Sequence, residues 1–229
     1  MNAASFVSGA RDMERASFPA NRSIADRPVA FATPLNRFVA LVLLVALSPL
    51  LLVVAAMIWR TDGAPILFAH YRVGYGGRLF RCMKFRTMRR DSEQVLAKLL
   101  KDDPEARAEW KRDQKLANDP RITPIGRFLR NTSLDELPQL LNVLRGDMNL
   151  VGPRPITVEE LTRYGMVRWH YLSVPPGITG LWQVSGRNNT SYEERVALDE
   201  RYVEQRSVWG DIAILAKTVR VVITKEGAR

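Results

Sequence analysis

Residues 38–59 read FVALVLLVALSPLLLVVAAMIW, an apolar run without a charged side chain. A helix of about 20 apolar residues can cross the hydrocarbon core of a bilayer. The run begins far from the N-terminus and lacks a small-residue cleavage pattern, so it is not typical of a signal peptide. The sequence therefore predicts a membrane segment, although the mean hydropathy of the whole chain, -0.15, is that of a soluble protein.

The dipeptide Ser48-Pro49 lies in the middle of this run and leaves two topologies open. Proline removes a helical hydrogen bond and bends or breaks a helix, although membrane helices tolerate it. One alternative is a single span across the bilayer. The other is a re-entrant hairpin, which suits the presence of Arg37 and Arg60 at the two ends because both ends would face one surface.

The formal net charge is +10, and basic residues are concentrated just after the membrane segment. Between positions 60 and 90 the one acidic residue is Asp62, against eight basic residues: Arg60, Arg72, Arg78, Arg81, Lys84, Arg86, Arg89 and Arg90. A basic block in this place is typical of the cytoplasmic face. Basic patches also bind nucleic acid, but no nucleic-acid-binding module accompanies the charge, so no such partner is predicted.

The cysteine and histidine content excludes several kinds of site. Cys82 is the only cysteine, so neither an intrachain disulfide nor a thiolate zinc cluster can form. The two histidines, His70 and His170, lie far apart in the sequence, which argues against a histidine-rich metal site. The sequence also lacks the G-x-S-x-G, Walker A and G-x-G-x-x-G motifs.

Composition divides the chain into three regions. Residues 1–34 show no sustained periodicity, which predicts a mobile N-terminal tail. Residues 35–60 contain the membrane segment, and residues 61–229 are predicted to form one cytosolic domain.

Local patterns predict an α-rich α+β domain. Apolar stretches on both sides of Tyr75-Gly76-Gly77 predict a small β-hairpin. A helix is predicted at Asp91–Leu100, and a second at Pro104–Leu116 after the N-cap Asp103. Helical patterns follow at Tyr192–Arg206 and Asp211–Thr224; the latter is apolar enough for a core helix or, as we favour, an amphipathic helix on the bilayer surface.

Residues 131–139 read NTSLDELPQ and contain two adjacent acids, Asp135 and Glu136. Ser133 and Glu136 match a capping box, which is the structural interpretation of the pair. That arrangement would place Pro138 at the fifth helical position, where it removes a backbone bond, whereas a helix that begins nearer Asp135 tolerates it. Either way the carboxylates lie at the positive end of a helix dipole, which favours their ionised form and binds phosphate.

Adjacent side chains on a helix diverge by about 100°, so the two acids can have different roles. One could attack a phosphorus atom, and the other could hold Mg²⁺, which prefers carboxylate and phosphate oxygens. On these residues alone, capping and catalysis both stay open.

Arginines and restricted backbone surround the pair in the sequence. Arg127 and Arg130 precede it, and Arg154 follows between two prolines. The planar guanidinium suits diphosphate oxygens, although each arginine alone could equally form a surface ion pair. Residues 174–188, VPPGITGLWQVSGRN, add glycines that allow close backbone approach to a ligand, and Trp182, which either stacks on a base or packs in the core.

These motifs, in this order, resemble the small monotopic phosphoglycosyl transferases, also called bacterial sugar transferases. The resemblance covers about residues 35–224. It rests on Ser48-Pro49, Lys84-Phe85-Arg86-Thr87-Met88, Asp119-Pro120-Arg121, Thr132-Ser133-Leu134-Asp135-Glu136-Leu137-Pro138-Gln139, Gly152-Pro153-Arg154-Pro155, and Pro176-Gly177-Ile178-Thr179-Gly180 through Gly186-Arg187-Asn188.

The resemblance implies a monotopic protein of the bacterial inner membrane with a re-entrant helix hairpin, interfacial amphipathic helices and a catalytic domain on the cytoplasmic face. It implies Mg²⁺-dependent transfer of a sugar 1-phosphate, of glucose or galactose, from a UDP-sugar to polyprenyl (undecaprenyl) phosphate. UMP would be released, and the product would start an exopolysaccharide repeat unit. Membrane lipids are further partners, and a homodimer is left open.

The resemblance also implies residue roles. Asp135 would be the nucleophile that forms a covalent phosphosugar intermediate, and Glu136 would bind Mg²⁺ or assist the lipid phosphate. The implied substrate-binding residues are Lys84, Arg86, Arg130, Arg154, Arg187 and Asn188.

Two other functions stay open. A membrane-bound glycosyltransferase would transfer the sugar alone and release UDP. A non-catalytic membrane adaptor would present its basic surface to lipids or partners, and would lose little on replacement of Asp135.

Overall fold

The computed structural model describes residues 32–113, 115–186 and 190–224. Most of the predicted tail, residues 1–31, therefore lies outside the described residues. The described chain is mainly helical with two small two-stranded sheets, which confirms the predicted helix-rich fold with a small β-hairpin.

The apolar run forms one long helix, α1, Ala32–Asp62. Within the described residues it is the one helix that is long and apolar enough to cross a membrane, and its most apolar 18-residue stretch has a mean hydropathy of 3.0. The helix continues through Pro49, where the Ser48 hydroxyl donates to the carbonyl of Val45 (2.7 Å). Because proline can bend a helix without interrupting it, the re-entrant hairpin stays a prediction.

One face of α1 packs against the rest of the protein. Ala40, Val54 and Ile58 are buried in apolar clusters that also contain Leu140 and Phe85. The opposite face exposes large apolar side chains: Leu41, Val42, Val45, Leu52, Val53, Met57 and Trp59. An exposed apolar stripe on a helix of this length suits contact with lipid.

Both ends of α1 are bonded to the same body. Near its start, the Oδ1 atom of Asn36 accepts the N–H of Leu150 (2.9 Å). At its end, Arg86 forms an ion pair with the carboxylate of Asp62 (2.9 Å) and donates to the carbonyls of Asp62 (3.0 Å) and Gly63 (2.8 Å). The helix is therefore held along its length rather than by one end.

The predicted hairpin is confirmed. Strands β1, Leu67–Val73, and β2, Leu79–Phe85, pair antiparallel, with Leu67 opposite Phe85. The turn Tyr75–Gly77 joins them, and Gly76 and Gly77 have φ of 64° and 83°, which glycine adopts readily.

The predicted cap between the next two helices is also confirmed. Helices α2 and α3 span Ser92–Asp102 and Pro104–Asp113. The Oδ1 atom of Asp103 accepts the N–H groups of Glu105 (2.9 Å) and Ala106 (3.0 Å) at the start of α3.

The rest of the described chain is mostly short helices. In chain order it contains α4 (Pro124–Thr132), a 3₁₀-helix (Leu134–Gln139), α5 (Leu140–Arg145), β3 (Asn149–Val151), α6 (Val158–Arg163), α7 (Arg168–Leu172), β4 (Gly177–Thr179), α8 (Tyr192–Gln205) and α9 (Val208–Thr224).

Strands β3 and β4 pair in parallel and bring two loops into direct backbone contact. A Cβ atom added to Gly152, Gly177 or Gly180 would collide with the backbone of the other loop. The expectation that the glycines of residues 174–188 approach a ligand is thus corrected, because at Gly177 and Gly180 the close approach is to a neighbouring loop.

Helix α9 has an apolar face that the described residues leave uncovered. Ile214 and Val221 are buried, whereas the following residues are exposed: Val208, Trp209, Ile212, Leu215, Val219, Val222 and Ile223. The prediction of an interfacial helix is compatible with this pattern and stays a prediction.

Candidate active site

Asp135 and Glu136 lie in the first turn of the 3₁₀-helix Leu134–Gln139. Ser133 joins this helix to the end of α4 in a left-handed conformation (φ 56°), and its side chain forms no capping bond. The capping-box interpretation is therefore wrong, because a capping serine has an extended backbone. Helix capping therefore does not explain the presence of Asp135 and Glu136 at this position.

Asn142 fixes the acidic helix against β2. This fully buried side chain donates to the carbonyl of Arg81 (2.8 Å), and its Oδ1 atom accepts the N–H of Met83 (2.9 Å). Because Asn142 belongs to α5, which follows the acidic turn directly, these bonds position the turn beside the strand that carries Lys84.

Three cations from three different elements face the acidic pair. Lys84, on β2, places Nζ 2.6 Å from Oε1 of Glu136 and 4.0 Å from Oδ2 of Asp135. Arg154, just after β3, places Nη1 3.7 Å from the same Glu136 oxygen. The positive charge of Arg130, in the last turn of α4, acts on Asp135 as well. These three positive charges exceed the two negative charges of Asp135 and Glu136. The net positive charge of the site favours binding of an anionic substrate.

Asp135 is buried, with 8% of its surface exposed. Burial raises the pKa of Asp135 to about 6, although Lys84, Arg130 and Arg154 oppose that rise and Glu136 adds to it. At pH 7.5 the carboxylate is therefore mostly ionised but poorly hydrated. An ionised carboxylate of this kind can act as a nucleophile.

Arg130 is held in place by a neighbouring hydroxyl. Its Nε atom donates to Oγ1 of Thr87 (2.9 Å), just beyond the end of β2. Gly126, one turn earlier on α4, lies so close to the backbone of Thr87 that a Cβ atom would collide with it. The glycine therefore lets α4 approach near enough for this bond.

Arg154 is positioned by an aromatic ring and a buried acid. Its guanidinium lies 5.6 Å from the ring centre of Trp182, and that of Arg195 lies 4.8 Å from the same centre. Trp182 is buried, and its Nε1 atom donates to Oγ1 of Thr190 (2.7 Å), so the core-packing interpretation of this residue holds. Asp199 interacts with the backbone and the charge of Arg154.

Arg86 is placed differently from Lys84. It is 8% exposed, and its guanidinium bonds to Asp62 and Gly63 at the end of α1. The structure thus joins Arg86 to the membrane helix, and its substrate-binding role stays a prediction. The other two predicted ligands, Arg187 and Asn188, lie outside the described residues.

The acidic pair has the donor chemistry that Mg²⁺ requires. Oε1 of Glu136 lies 2.6 Å and Oδ2 of Asp135 lies 4.0 Å from Nζ of Lys84, so each carboxylate presents an oxygen towards the same ammonium group. Mg²⁺ is usually held by one or two carboxylates together with substrate phosphates, and this set fits that pattern.

A second group with ligand atoms lies between α7 and α8. Atoms of His170, Glu200 and Glu204 are within 4.8 Å of one another. The imidazole is 3.6 Å from Glu200 and 3.8 Å from Glu204.

Sequence reasoning missed three residues that shape the site. Asn142 could have been found, because it is a polar residue inside the apolar run 140–144. Asp199 and Tyr164 give no local signal: Asp199 is one of several acids in α8, and Tyr164, whose hydroxyl donates to it (2.8 Å), lies 35 positions away.

Residues 29–225 match the protein family described as bacterial sugar transferase. The chain belongs to this family. The resemblance identified from the motifs is thereby confirmed.

Three relatives illustrate the range of this sugar transferase family. The chain is 54% identical over 189 residues to an undecaprenyl-phosphate galactose phosphotransferase of Salmonella typhimurium, covering 82% of this chain and 40% of the relative. It is 46% identical over 189 residues to the exopolysaccharide production protein ExoY of Rhizobium meliloti (82% and 84%). It is 39% identical over 196 residues to the UDP-glucose:undecaprenyl-phosphate glucose-1-phosphate transferase of Xanthomonas campestris (82% and 38%).

The chain thus spans about two fifths of the Salmonella and Xanthomonas proteins and most of the Rhizobium protein. The matched part contains the acidic pair and its three cations.

Proposed function

We propose that this protein transfers a sugar 1-phosphate from a UDP-sugar to a polyprenyl phosphate. The observation that carries the proposal is the buried, ionisable Asp135 beside Glu136, opposed by Lys84, Arg130 and Arg154. The names of the Salmonella and Xanthomonas relatives, which describe galactose and glucose phosphate transfer to undecaprenyl phosphate, support the same reaction.

The reaction proceeds in two displacements at one phosphorus atom. In the first, a carboxylate oxygen of Asp135 attacks the β-phosphorus of the UDP-sugar, the bond to the bridging oxygen breaks, and UMP leaves with its electrons. In the second, an oxygen of the lipid phosphate attacks the phosphosugar on Asp135. The bond from phosphorus to the Asp135 oxygen then breaks and restores the carboxylate.

The cations supply charge stabilisation at the transferred group. Lys84 and Arg154 contact the Glu136 oxygen and are placed to bind phosphate oxygens near Asp135. Glu136 is the proposed ligand of Mg²⁺, with Asp135 as the nucleophile. When bound, Mg²⁺ would neutralise negative charge on the diphosphate.

The membrane arrangement belongs to the same proposal. The exposed apolar faces of α1 and α9 support a monotopic protein whose site meets the lipid surface. The bonds from both ends of α1 to one domain support a re-entrant helix, with the domain on the cytoplasmic face of the inner membrane. The product would start an exopolysaccharide repeat unit, as the name of the Rhizobium relative suggests.

The nucleotide product tests this proposal. The full chain in lipid nanodiscs is incubated with Mg²⁺, undecaprenyl phosphate and UDP-glucose or UDP-galactose, and the nucleotides are separated by chromatography. We expect UMP in an amount equal to the lipid-linked sugar. Release of UDP would identify a glycosyltransferase instead, and no release from any UDP-sugar would favour the adaptor.

The covalent intermediate has its own test. Without the lipid acceptor, we expect UMP release to stop after about one turnover and a phosphosugar mass to appear on the peptide that contains Asp135. UMP release that requires the lipid, without such an adduct, would contradict the two-step route.

A further inference from the structure

An apolar groove separates α1 from the catalytic part of the protein. Its volume is about 530 Å³, within the range of small-ligand sites. On the α1 side it is lined by Leu51, Leu52 and Ala55. Ile66, at the entry to β1, and Pro138 and Leu141 line the other side.

One lining residue of the groove, Pro138, belongs to the same 3₁₀-helix as the acidic pair. Pro138 and Asp135 are three positions apart in the 3₁₀-helix Leu134–Gln139. Side chains three positions apart share one face of a 3₁₀-helix, with a rise of about 6 Å along the axis. The wall of the groove at Pro138 is therefore one turn from the nucleophilic carboxylate.

The other end of the groove opens to the lipid-facing side of α1. Leu52, which forms this edge, is 70% exposed. Leu67, at the start of β1, is also exposed beside it. The groove thus runs from the exposed apolar surface of α1 to Pro138, one helical turn from Asp135.

The two sides of Asp135 have opposite character. Lys84 and Arg154 lie on the polar side, beside Glu136. Pro138 and the groove lie on the apolar side. A ligand that satisfies both sides is an amphiphile with an anionic head and a hydrocarbon chain that begins directly behind it.

We propose that this groove binds the isoprene units next to the phosphate of the acceptor lipid, and that it selects the acceptor by its chain. This inference rests on the proposed function, because a polyprenyl phosphate has its phosphate at the end of a branched hydrocarbon chain. With the phosphate beside Lys84, the first isoprene units reach Pro138 and continue between Leu52 and Leu141. The remaining chain stays in the bilayer.

A matched pair of variants tests the groove. Leu52→Trp places a large ring at the edge of the groove. Leu50→Trp makes the same change two positions earlier, about 200° around the helix, at a residue that is 38% exposed and does not line the groove. Both proteins are assayed in nanodiscs of one phospholipid composition.

Two half-reactions are measured for each variant. The first is single-turnover UMP release from the UDP-sugar without acceptor. The second is kcat/KM for two acceptors, dimethylallyl phosphate with a single isoprene unit and farnesyl phosphate with three.

For Leu52→Trp we expect unchanged UMP release and a loss of about tenfold in kcat/KM for farnesyl phosphate, which corresponds to about 1.4 kcal/mol. The loss for dimethylallyl phosphate should be much smaller, so the preference for the longer chain falls. Leu50→Trp should resemble the unmodified protein in every measurement.

An unchanged chain preference in Leu52→Trp, or equal effects of the two tryptophans, would overturn the inference and assign the groove to ordinary bilayer lipid. Failure of the unmodified protein to release UMP even with the lipid acceptor present would instead refute the proposed function. As a second measurement, a farnesyl phosphate with a photoreactive group on its first isoprene unit should label peptides containing residues 51–55 or 138–141. Labelling confined to other segments would also contradict the binding of the isoprene units in this groove.

Discussion

Two buried aspartates, Asp135 and Asp199, differ in their partners. In both, burial raises the pKa to about 6. Asp199, 2% exposed, accepts a hydrogen bond from the hydroxyl of Tyr164 (2.8 Å), which is itself buried. Asp135 instead lies 4.0 Å from Nζ of Lys84, a separation at which the two charges interact without a close hydrogen bond.

The difference shows that a raised pKa alone does not identify a reactive acid. Asp199 is bonded within the core, where it helps to place Arg154. Asp135 is compensated at a distance by side chains that can also bind a substrate phosphate, so it can change its bonding during a reaction. We therefore propose a chemical role for Asp135 and a positioning role for Asp199.

The largest expected effect is the loss of activity when Asp135 is replaced, and it distinguishes the proposed roles of Asp135 and Asp199. Asp135→Asn keeps the shape of the side chain but removes the nucleophile, so we expect a loss of at least about a thousandfold in UMP release, or about 4 kcal/mol. Asp199→Asn keeps an acceptor for Tyr164 and should lose less than about tenfold. Similar losses in both variants, measured in the same nanodisc assay, would remove the distinction.

Arg86 extends the comparison to a buried cation. Its bonds to Asp62 and Gly63 support a structural role at the end of α1, so we expect Arg86→Met to lower the free energy of unfolding by about 3 kcal/mol. The measurement is the thermal unfolding midpoint in detergent, and Arg89→Met, at an exposed ion pair nearby, should leave it unchanged. An unchanged unfolding midpoint of Arg86→Met, together with a raised KM for the UDP-sugar, would instead support the predicted substrate-binding role of Arg86.

Asp135 should make stability depend on pH. Its folded pKa, about 6, lies above the ordinary value of 3.8. Above pH 6 the ionised carboxylate therefore lowers the free energy of unfolding, and this penalty disappears as the pH falls from 6 towards 4. Asp135→Asn should stabilise the substrate-free protein by roughly 2 kcal/mol at pH 8 and have no effect near pH 4.

The increase in the free energy of unfolding is measured by thermal unfolding of the Asp135→Asn variant and of the unmodified protein from pH 4 to pH 8. Destabilisation by Asp135→Asn at pH 8 would mean that the surrounding cations hold the carboxylate more strongly than burial opposes it.

The smallest expected effect is a displacement of the pH–rate profile. UMP release should rise with pH as Asp135 ionises near pH 6. Because Lys84 lowers the pKa of Asp135, Lys84→Met should move this rise to higher pH, in addition to weakening phosphate binding. Arg81→Met, an exposed site on the same strand, should leave the position of the rise unchanged; an unshifted profile in both variants would show that another group controls it.

The sequence predicted the elements whose signals are local. The apolar run of α1, the turn Tyr75–Gly77 and the cap at Asp103 each depend on neighbouring residues, and the structure confirms them as helix, hairpin and cap. The motifs also predicted the family, and Lys84 and Arg154 do meet Glu136.

The parts that sequence reasoning missed depend on contacts between distant residues. Strands β3 and β4 have three residues each, too few to show a periodic pattern, and they pair across a gap of about 25 residues. The capping-box pattern at Ser133 does not hold, because the pattern considers spacing alone, whereas the left-handed backbone of Ser133 follows from the junction of α4 and the 3₁₀-helix. The positioning role of Asp199 depends on its interactions with Tyr164 and Arg154, both of which are distant from it in the sequence.

The attachment of α1 at Asn36 and at Asp62 limits how the proposed membrane helix can adapt to bilayers of different hydrocarbon thickness. A helix tethered at one end can slide or tilt to match the hydrocarbon depth while its domain stays still. Here the helix and the domain must tilt together, because both termini of α1 are hydrogen-bonded to the domain. In the proposed membrane arrangement, the fold itself therefore sets the height of Asp135 relative to the lipid phosphates.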